Sequence, residues 1–185
     1  MQHLNTLQLD QTSIVIIDMQ ESFRNIINDF SEVSRRIAIV VQAAQGLGVP
    51  LVVTEQYPKG LGRTASEILE ALPQDQKFIE KTAFSSCGAS EFVKSLDQLG
   101  SKQILVCGIE AHICVNQTTH DLLSRGFQVH LLTDCITARF PINKEIGLNK
   151  MFQSGALPSS VEMALFELMR DAKHEQFKTI QKLIK

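Results

Sequence analysis

Short apolar runs alternate with amphipathic windows along the whole of this 185-residue chain. The runs are rich in Ile, Val and Leu, as in residues 14–17 and 104–107, and the windows repeat apolar residues at helical spacing. Continuous apolar runs indicate parallel strands buried on both faces, because the crossover connections of a parallel sheet place helices on both of its sides. The sequence therefore predicts an α/β fold, a three-layer sandwich around a six-stranded parallel sheet.

The predicted strands cover residues 13–18, 50–54, 78–81, 103–108, 128–133 and 157–160. The helical windows cover residues 29–47, 65–72, 89–99, 114–125, 144–154, 161–169 and 174–184. No linker or internal repeat divides them, so we expect one domain over residues 1–185. Sheets of this class bind ligands beyond the carboxyl ends of their strands, so the residues that directly follow strands are the candidates for chemistry.

Composition and charge argue against several classes of function. The chain has 18 Lys and Arg against 20 Asp and Glu, a formal net charge of −2. It therefore has no basic field for a nucleic acid or an anionic membrane surface. The apolar runs are far shorter than the roughly 20 residues that cross a bilayer, and residues 1–10 show no export signal. We expect a cytoplasmic protein whose four cysteines are reduced.

Asp18 follows four consecutive apolar residues at the end of the first predicted strand. Burial raises the pKa of a carboxyl group, which makes it a usable proton acceptor and donor near neutral pH. The alternative is an aspartate that only closes the turn after the strand.

Cys114 lies at the start of the helix that follows the fourth strand. The dipole and free N–H groups of a helix start stabilise a thiolate, which favours a nucleophile at this position. The alternative is a buried structural cysteine. We expect Cys107 and Cys135 to be core thiols, inside and just after a strand, and Cys87 is a lesser candidate near another helix start.

Lys81 ends the third strand among apolar neighbours, where a lysine can keep a nearby thiol anionic. The alternative is an ordinary solvated lysine. His112 is close to Cys114 along the chain, but that spacing does not show that the two side chains face each other. We expect the remaining histidines on surfaces or helix faces: His3, His120, His130 and His174. The chain has no metal-binding or phosphate-binding motif, so we expect neither a metal nor a cofactor.

Three segments, IIDMQ at 16–20, EKTAFSSCG at 80–88 and CGIEAHICVNQT at 107–118, follow one another in this order. With these segments the sequence resembles the isochorismatase-like cysteine hydrolase superfamily over nearly its whole length. Within that superfamily it is most similar to the isochorismatase domain-containing hydrolases of unassigned substrate. The resemblance implies a catalytic triad of Asp18, Lys81 and Cys114. It also implies a Rossmann-like sheet in the order 3-2-1-4-5-6, which places the first and fourth strands side by side.

The same resemblance implies a cis peptide bond between Ile109 and Glu110. Such a bond would aim the backbone N–H of Glu110, together with that of Cys114, into an oxyanion hole. Candidate residues for the substrate pocket are Gln20, Phe23, Tyr57 and Phe84, although aromatic residues near strand ends are as often core residues. We expect the loop at 54–64, with Gly60 and Gly62 as hinges, to cover the pocket, or else to be an ordinary surface loop.

These expectations combine into a cysteine hydrolase that cleaves an amide-type C–N bond of a small molecule through a thioester. Metal-dependent nicotinamidase chemistry is disfavoured, because residues 54–58 read TEQYP where those enzymes carry Asp-x-His. The alternatives are a non-catalytic interaction protein on the same fold and a thiol redox sensor. The resemblance also suggests a homo-oligomer, as do four apolar residues of the terminal helices that could instead pack within the chain: Phe166, Met169, Phe177 and Ile180.

Overall fold

A computed structural model of the chain describes His3 and residues 5–185. The strands are β1 Thr12–Ile17, β2 Leu51–Gln56, β3 Phe78–Lys81, β4 Gln103–Gly108, β5 Gln128–Ile136 and β6 Leu157–Ser159. The helices are α1 Phe30–Leu47, α2 Pro58–Leu61, α3 Ser66–Ala71, α4 Ser90–Leu99, α5 Asn116–Ser124, α6 Pro141–Gln153, α7 Val161–Met169 and α8 Phe177–Leu183. Within this part of the chain, no helix is long and apolar enough to span a membrane. The predicted domain also includes Met1, Gln2 and Leu4, which lie outside the described residues.

The six strands form one all-parallel sheet in the order β3-β2-β1-β4-β5-β6. This confirms the predicted fold class and strand order. Two apolar cores flank the sheet, one with α1, α7 and α8 and the other with α4, α5 and α6. Every residue of the central strands β1 and β4 is buried, as their continuous apolar sequences predict.

Several predicted boundaries were wrong. Strand β5 continues to Ile136, so Cys135 lies inside the strand and not after it. Helix α6 begins at Pro141, where the fixed φ of proline suits the first helical position. The helix predicted from Cys114 begins at Asn116, and a π-helical turn, Ala111–Val115, precedes it. Short helix α2 was not predicted.

His130 corrects another expectation, because it is a buried residue of β5 with only 2% of its surface exposed. The apolar residues of the terminal helices also lie mainly within the chain. Met169 and Ile180 are buried, and Phe177 packs against the core with its ring 6.1 Å from that of Phe166. Only Phe166, which is 40% exposed, is left as apolar surface among the four. The homo-oligomer stays a prediction that light scattering of the purified protein would test.

Gly108 brings the ends of the two central strands together. Its φ of +115° is unfavourable for residues with a side chain, and a Cβ atom there would overlap the carbonyl of Ile17. The next residue, Ile109, donates its N–H to the same carbonyl at 2.9 Å. The segment that leads to Cys114 therefore starts directly beside the point where β1 ends and Asp18 follows.

Candidate active site

Asp18 lies in the left-handed region, with φ at +50°, which aspartate tolerates better than most residues. The residue is 2% exposed, and its carboxylate accepts two hydrogen bonds. Thr54 Oγ1 donates to Oδ1 at 2.7 Å, and Lys81 Nζ donates to Oδ2 at 2.6 Å. The side chain is thus fixed by the ends of β2 and β3, and it makes no side-chain hydrogen bond to the turn that follows β1.

Lys81 is a buried cation, not a solvated one. Besides Asp18, its Nζ donates to Gln56 Oε1 at 2.7 Å and to the carbonyl oxygens of Ala83 and Phe84 at 3.1 and 3.0 Å. A buried ammonium is strongly destabilising unless it is paired and hydrogen-bonded. These four oxygen atoms replace the water that the ammonium loses and offset the cost of burying it.

Cys114 lies in the π-helical turn and is 7% exposed. Burial raises the pKa of its thiol to about 12, with a further increase from the Asp18 charge and an opposing decrease from Lys81. The direction of this pKa shift does not support the expectation that Lys81 and the helix start keep the sulfur anionic. The lysine is already paired with Asp18, and desolvation outweighs its remaining influence on the thiol.

A cavity of about 120 Å³ joins Asp18 and Cys114, whereas Lys81 lines a separate hollow of about 360 Å³. The cavity is lined by Asp18, Phe23, Gln56, Leu61, Phe84, Ile109, Glu110, Ile113 and Cys114. Two of the predicted pocket residues, Phe23 and Phe84, are among them, while Gln56, Leu61 and Ile113 were missed. Larger hollows of about 300 to 370 Å³ lie elsewhere on the surface, and neither Asp18 nor Cys114 lines them.

The other two predicted pocket residues lie outside the cavity lining. Gln20 is fully buried, accepts from the Gln56 N–H at 2.8 Å, and donates to the carbonyls of Gln56 and Gly62 at 3.0 and 2.7 Å. Tyr57 is 54% exposed, and its ring packs where a Cβ on Gly60 would lie. Gln20 therefore holds the backbone of the loop after β2 in place, and that loop contributes Leu61 to the cavity lining.

Glu110 supplies the most distinctive backbone feature of the cavity. The peptide bond between Ile109 and Glu110 is cis. The N–H groups on either side are used, since Ile109 donates to Ile17 O and Ala111 donates to Thr137 O, both at 2.9 Å. Among the residues that the structure describes, none accepts from the N–H of Glu110. An unpaired N–H on a residue this buried is rare in folded proteins, which makes Glu110 a candidate hydrogen-bond donor to a group bound in the cavity.

Comparison with known proteins places this arrangement in a family. The model of the isochorismatase domain matches residues 12–163. The chain belongs to the isochorismatase family. The family is one of hydrolases, and the chain is 42% identical over 174 residues to human isochorismatase domain-containing protein 2, covering 93% of this chain and 82% of that protein.

Two solved structures show how closely this isochorismatase-family chain keeps the common fold. The MAR1 ribonuclease of Caenorhabditis elegans superposes with a TM-score of 0.92 at 35% identity, covering 97% of this chain and 92% of that one. The YcaC gene product of Escherichia coli, described as an octameric hydrolase of unknown specificity, gives 0.90 at 20% identity, covering 100% and 91%. The second likeness shows the fold alone.

The remaining candidates of this isochorismatase-family protein lie outside the cavity lining. His112 faces α6, where its Nε2 lies 3.4 Å from Asn143 Nδ2. Cys107 and Cys135 are fully buried, and burial raises the pKa of both thiols. Cys87 is half-buried, and burial raises its pKa as well. In the described part of the chain, no cluster of three or more His, Cys, Asp or Glu residues could hold a metal ion.

Proposed function

We propose that this protein is a cysteine hydrolase that cleaves the C–N bond of a small amide through a thioester on Cys114. The observation that carries the proposal is the shared cavity. One small space contains a thiol, the carboxylate of a buried Asp18–Lys81 pair, and the unpaired N–H of Glu110. These are the nucleophile, the base and the oxyanion donor that acyl transfer needs.

The first step begins with a protonated thiol. As the sulfur of Cys114 attacks the carbonyl carbon, its proton passes to Asp18, so the thiolate forms only during the attack. The new S–C bond displaces the π electrons of the carbonyl onto its oxygen. That oxyanion accepts from the N–H groups of Glu110 and Cys114, and one such donor contributes roughly 3–4 kcal/mol. The positive charge of Lys81 offsets the negative charge of the intermediate.

The second half of the reaction reverses the proton transfer. Asp18 gives its proton to the amide nitrogen, the C–N bond breaks, and the amine leaves an acyl group on the sulfur. A water molecule then attacks the thioester, Asp18 accepts a proton from it, and the C–S bond breaks. The carboxylic acid leaves, and the proton returns from Asp18 to the thiolate of Cys114, which restores the thiol.

The cavity indicates the class of acyl group. Its two carboxylates are each paired with a cation, Asp18 with Lys81 and Glu110 with Arg139, so the site has little net charge to attract an ion. The rest of the lining is mainly apolar, and the volume of about 120 Å³ is near that of the apolar cavities of about 150 Å³ that bind benzene. We therefore expect an uncharged acyl group of a few heavy atoms.

The same features weigh against other functions. A non-catalytic protein would gain nothing from a buried Asp–Lys pair, which costs desolvation energy. A redox sensor needs an acidic thiol, whereas the pKa of Cys114 is raised. The Caenorhabditis elegans neighbour is named a ribonuclease, but a cavity lined by Asp18 and Glu110 offers no cationic surface to an RNA backbone.

A screen of small amides and ureides, with RNA as a further substrate, tests the proposal. We expect turnover of an uncharged amide by the wild type and its loss in Cys114→Ala, Asp18→Asn and Lys81→Met. Cys87→Ser is the matched control, because it removes the half-buried thiol outside the cavity and should leave turnover unchanged. RNA cleavage that persists in Cys114→Ala, or amide turnover that survives the substitution, would contradict the proposal.

A further inference from the structure

We propose that the side chain of Glu110 is a positioning residue, whose carboxylate, held by Arg139, fixes the backbone N–H that binds the oxyanion. The inference rests on the proposed function, because it assigns a role within the same acyl-transfer step. It adds to that function one residue, Arg139, which the search for polar residues directly after predicted strands did not identify.

The carboxylate of Glu110 is held at three points by one residue. The backbone N–H of Arg139 donates to Oε2 at 2.9 Å, and Nε donates to both oxygens at 3.1 Å. Glu110 is 5% exposed, whereas the side chain of Arg139 is 43% exposed. Glu110 follows β4, and Arg139 lies between β5 and α6. The contact therefore joins the segments that follow two neighbouring strands.

The backbone around Glu110 is fixed on both sides. The N–H of Ile109 binds the end of β1 through Ile17, and the N–H of Ala111 binds the carbonyl of Thr137, just beyond β5. The carboxylate is the third anchor and the only one of the three made by a side chain. Together they hold a peptide unit whose own N–H has no acceptor among the described residues.

The charge of the anchor matters as well as its position. A carboxylate that lines the cavity would repel a developing oxyanion, and the repulsion is strong where little water screens it. The guanidinium of Arg139 cancels that charge while its hydrogen bonds, strengthened by charge, restrain the side chain. The pair can therefore orient the backbone donor without opposing the charge that the donor stabilises.

Two chemical probes separate an effect on the oxyanion from an effect on the thiol. With p-nitrophenyl acetate, the sulfur of Cys114 attacks the ester carbonyl through an oxyanion, forms an S–acetyl bond and releases p-nitrophenolate and a proton. With iodoacetamide, the sulfur displaces iodide from a saturated carbon, and no oxyanion forms. Both rates are measured at one alkaline pH in the Cys87→Ser background, with mass spectrometry to locate the label on Cys114.

We expect Glu110→Ala to slow acylation by about 100-fold, the loss typical of one oxyanion donor, and to leave alkylation unchanged. Glu110→Gln should regain most of the acylation rate, because its amide oxygen still accepts from the backbone N–H of Arg139. Arg139→Met keeps that N–H but leaves the charge of the Glu110 carboxylate uncancelled, so it should also slow acylation and leave alkylation unchanged. Arg36→Met is the matched control and should leave both rates unchanged, since Arg36 is also 43% exposed and paired with a carboxylate, that of Asp134, and neither residue lines the cavity.

Equal slowing of both reactions in Glu110→Ala, or no slowing of acylation, would overturn the positioning role while leaving the nucleophile assignment intact. If Glu110→Ala does not fold by circular dichroism, Glu110→Gln and Arg139→Met decide. Acylation of Arg139→Met at the wild-type rate, or equal slowing of its acylation and alkylation, would also overturn the role. Failure of the proposed function looks different: the wild type would then acylate no faster than Cys114→Ala.

Discussion

Lys81 Nζ lies 2.6 Å from Asp18 Oδ2, with 0% and 3% of the two side chains exposed. Each of these buried charges is stabilised by the other, because either one alone would be an uncompensated charge in the interior. The same pair also acts on Cys114, whose pKa is raised mainly by burial, raised further by Asp18 and lowered by Lys81.

Removing one member of the pair should therefore destabilise the fold more than removing both. We expect Lys81→Met to lower the free energy of unfolding by about 3–5 kcal/mol, because it leaves the charge of Asp18 buried without a partner. The double variant Asp18→Asn with Lys81→Met should recover part of that loss. Urea unfolding of the two single variants and the double variant measures the coupling, and additive losses would show that the two charges act independently.

The reactivity of Cys114 should follow its raised pKa. Because burial and Asp18 raise the pKa to about 12, the alkylation rate should keep rising with pH well above neutrality, without the early plateau of an acidic thiol. Asp18→Asn removes one cause of the increase and should shift the profile to lower pH. Lys81→Met removes the opposing influence and should shift it to higher pH. Iodoacetamide labelling located by mass spectrometry measures both shifts, and a plateau near neutral pH in the wild type would contradict the prediction.

The positions of Asp18, Lys81 and Cys114 were accessible from the sequence because topology determines them. Each residue lies at or just beyond the carboxyl end of a strand, and parallel strands bring those ends to one edge of the sheet. The glycine after Cys107 marks the close approach of β4 to β1, where a side chain has no room.

The rest of the cavity could not be predicted in this way, because loops and burial decide it. Gln56 and Leu61 line the cavity owing to the course of the chain after β2, which Gln20 sets through hydrogen bonds to the backbone. Arg139 reaches Glu110 from an irregular segment with no strand-end signal. The direction of the pKa shift of Cys114 depends on how much water burial removes, a quantity that residue spacing does not contain.

His130 should make the stability of the protein depend on pH. Burial lowers its pKa below the ordinary value of 6.5, with a smaller opposing influence from Glu167. The unfolded chain therefore binds a proton that the folded chain resists, so stability is full above about 6.5 and falls as the pH drops below that value. Urea midpoints across this window should fall more steeply in the wild type than in His130→Leu. Parallel curves would show that His130 does not carry the effect.

Gly147 sets how closely α6 packs on the turn that holds Cys114. A Cβ atom at this position would lie 2.9 Å from Ala111 O and 3.0 Å from the Cα of His112, both backbone atoms that cannot rotate away. Alanine is normally the better helix former by about 1 kcal/mol, but here we expect Gly147→Ala to lower the thermal midpoint and slow acylation of Cys114. Gly46→Ala in α1 is the control, because its Cβ would meet only the side chain of Gln176 at 3.5 Å, an ordinary contact, and should raise stability. Equal gains in both variants would show that α6 does not constrain the turn.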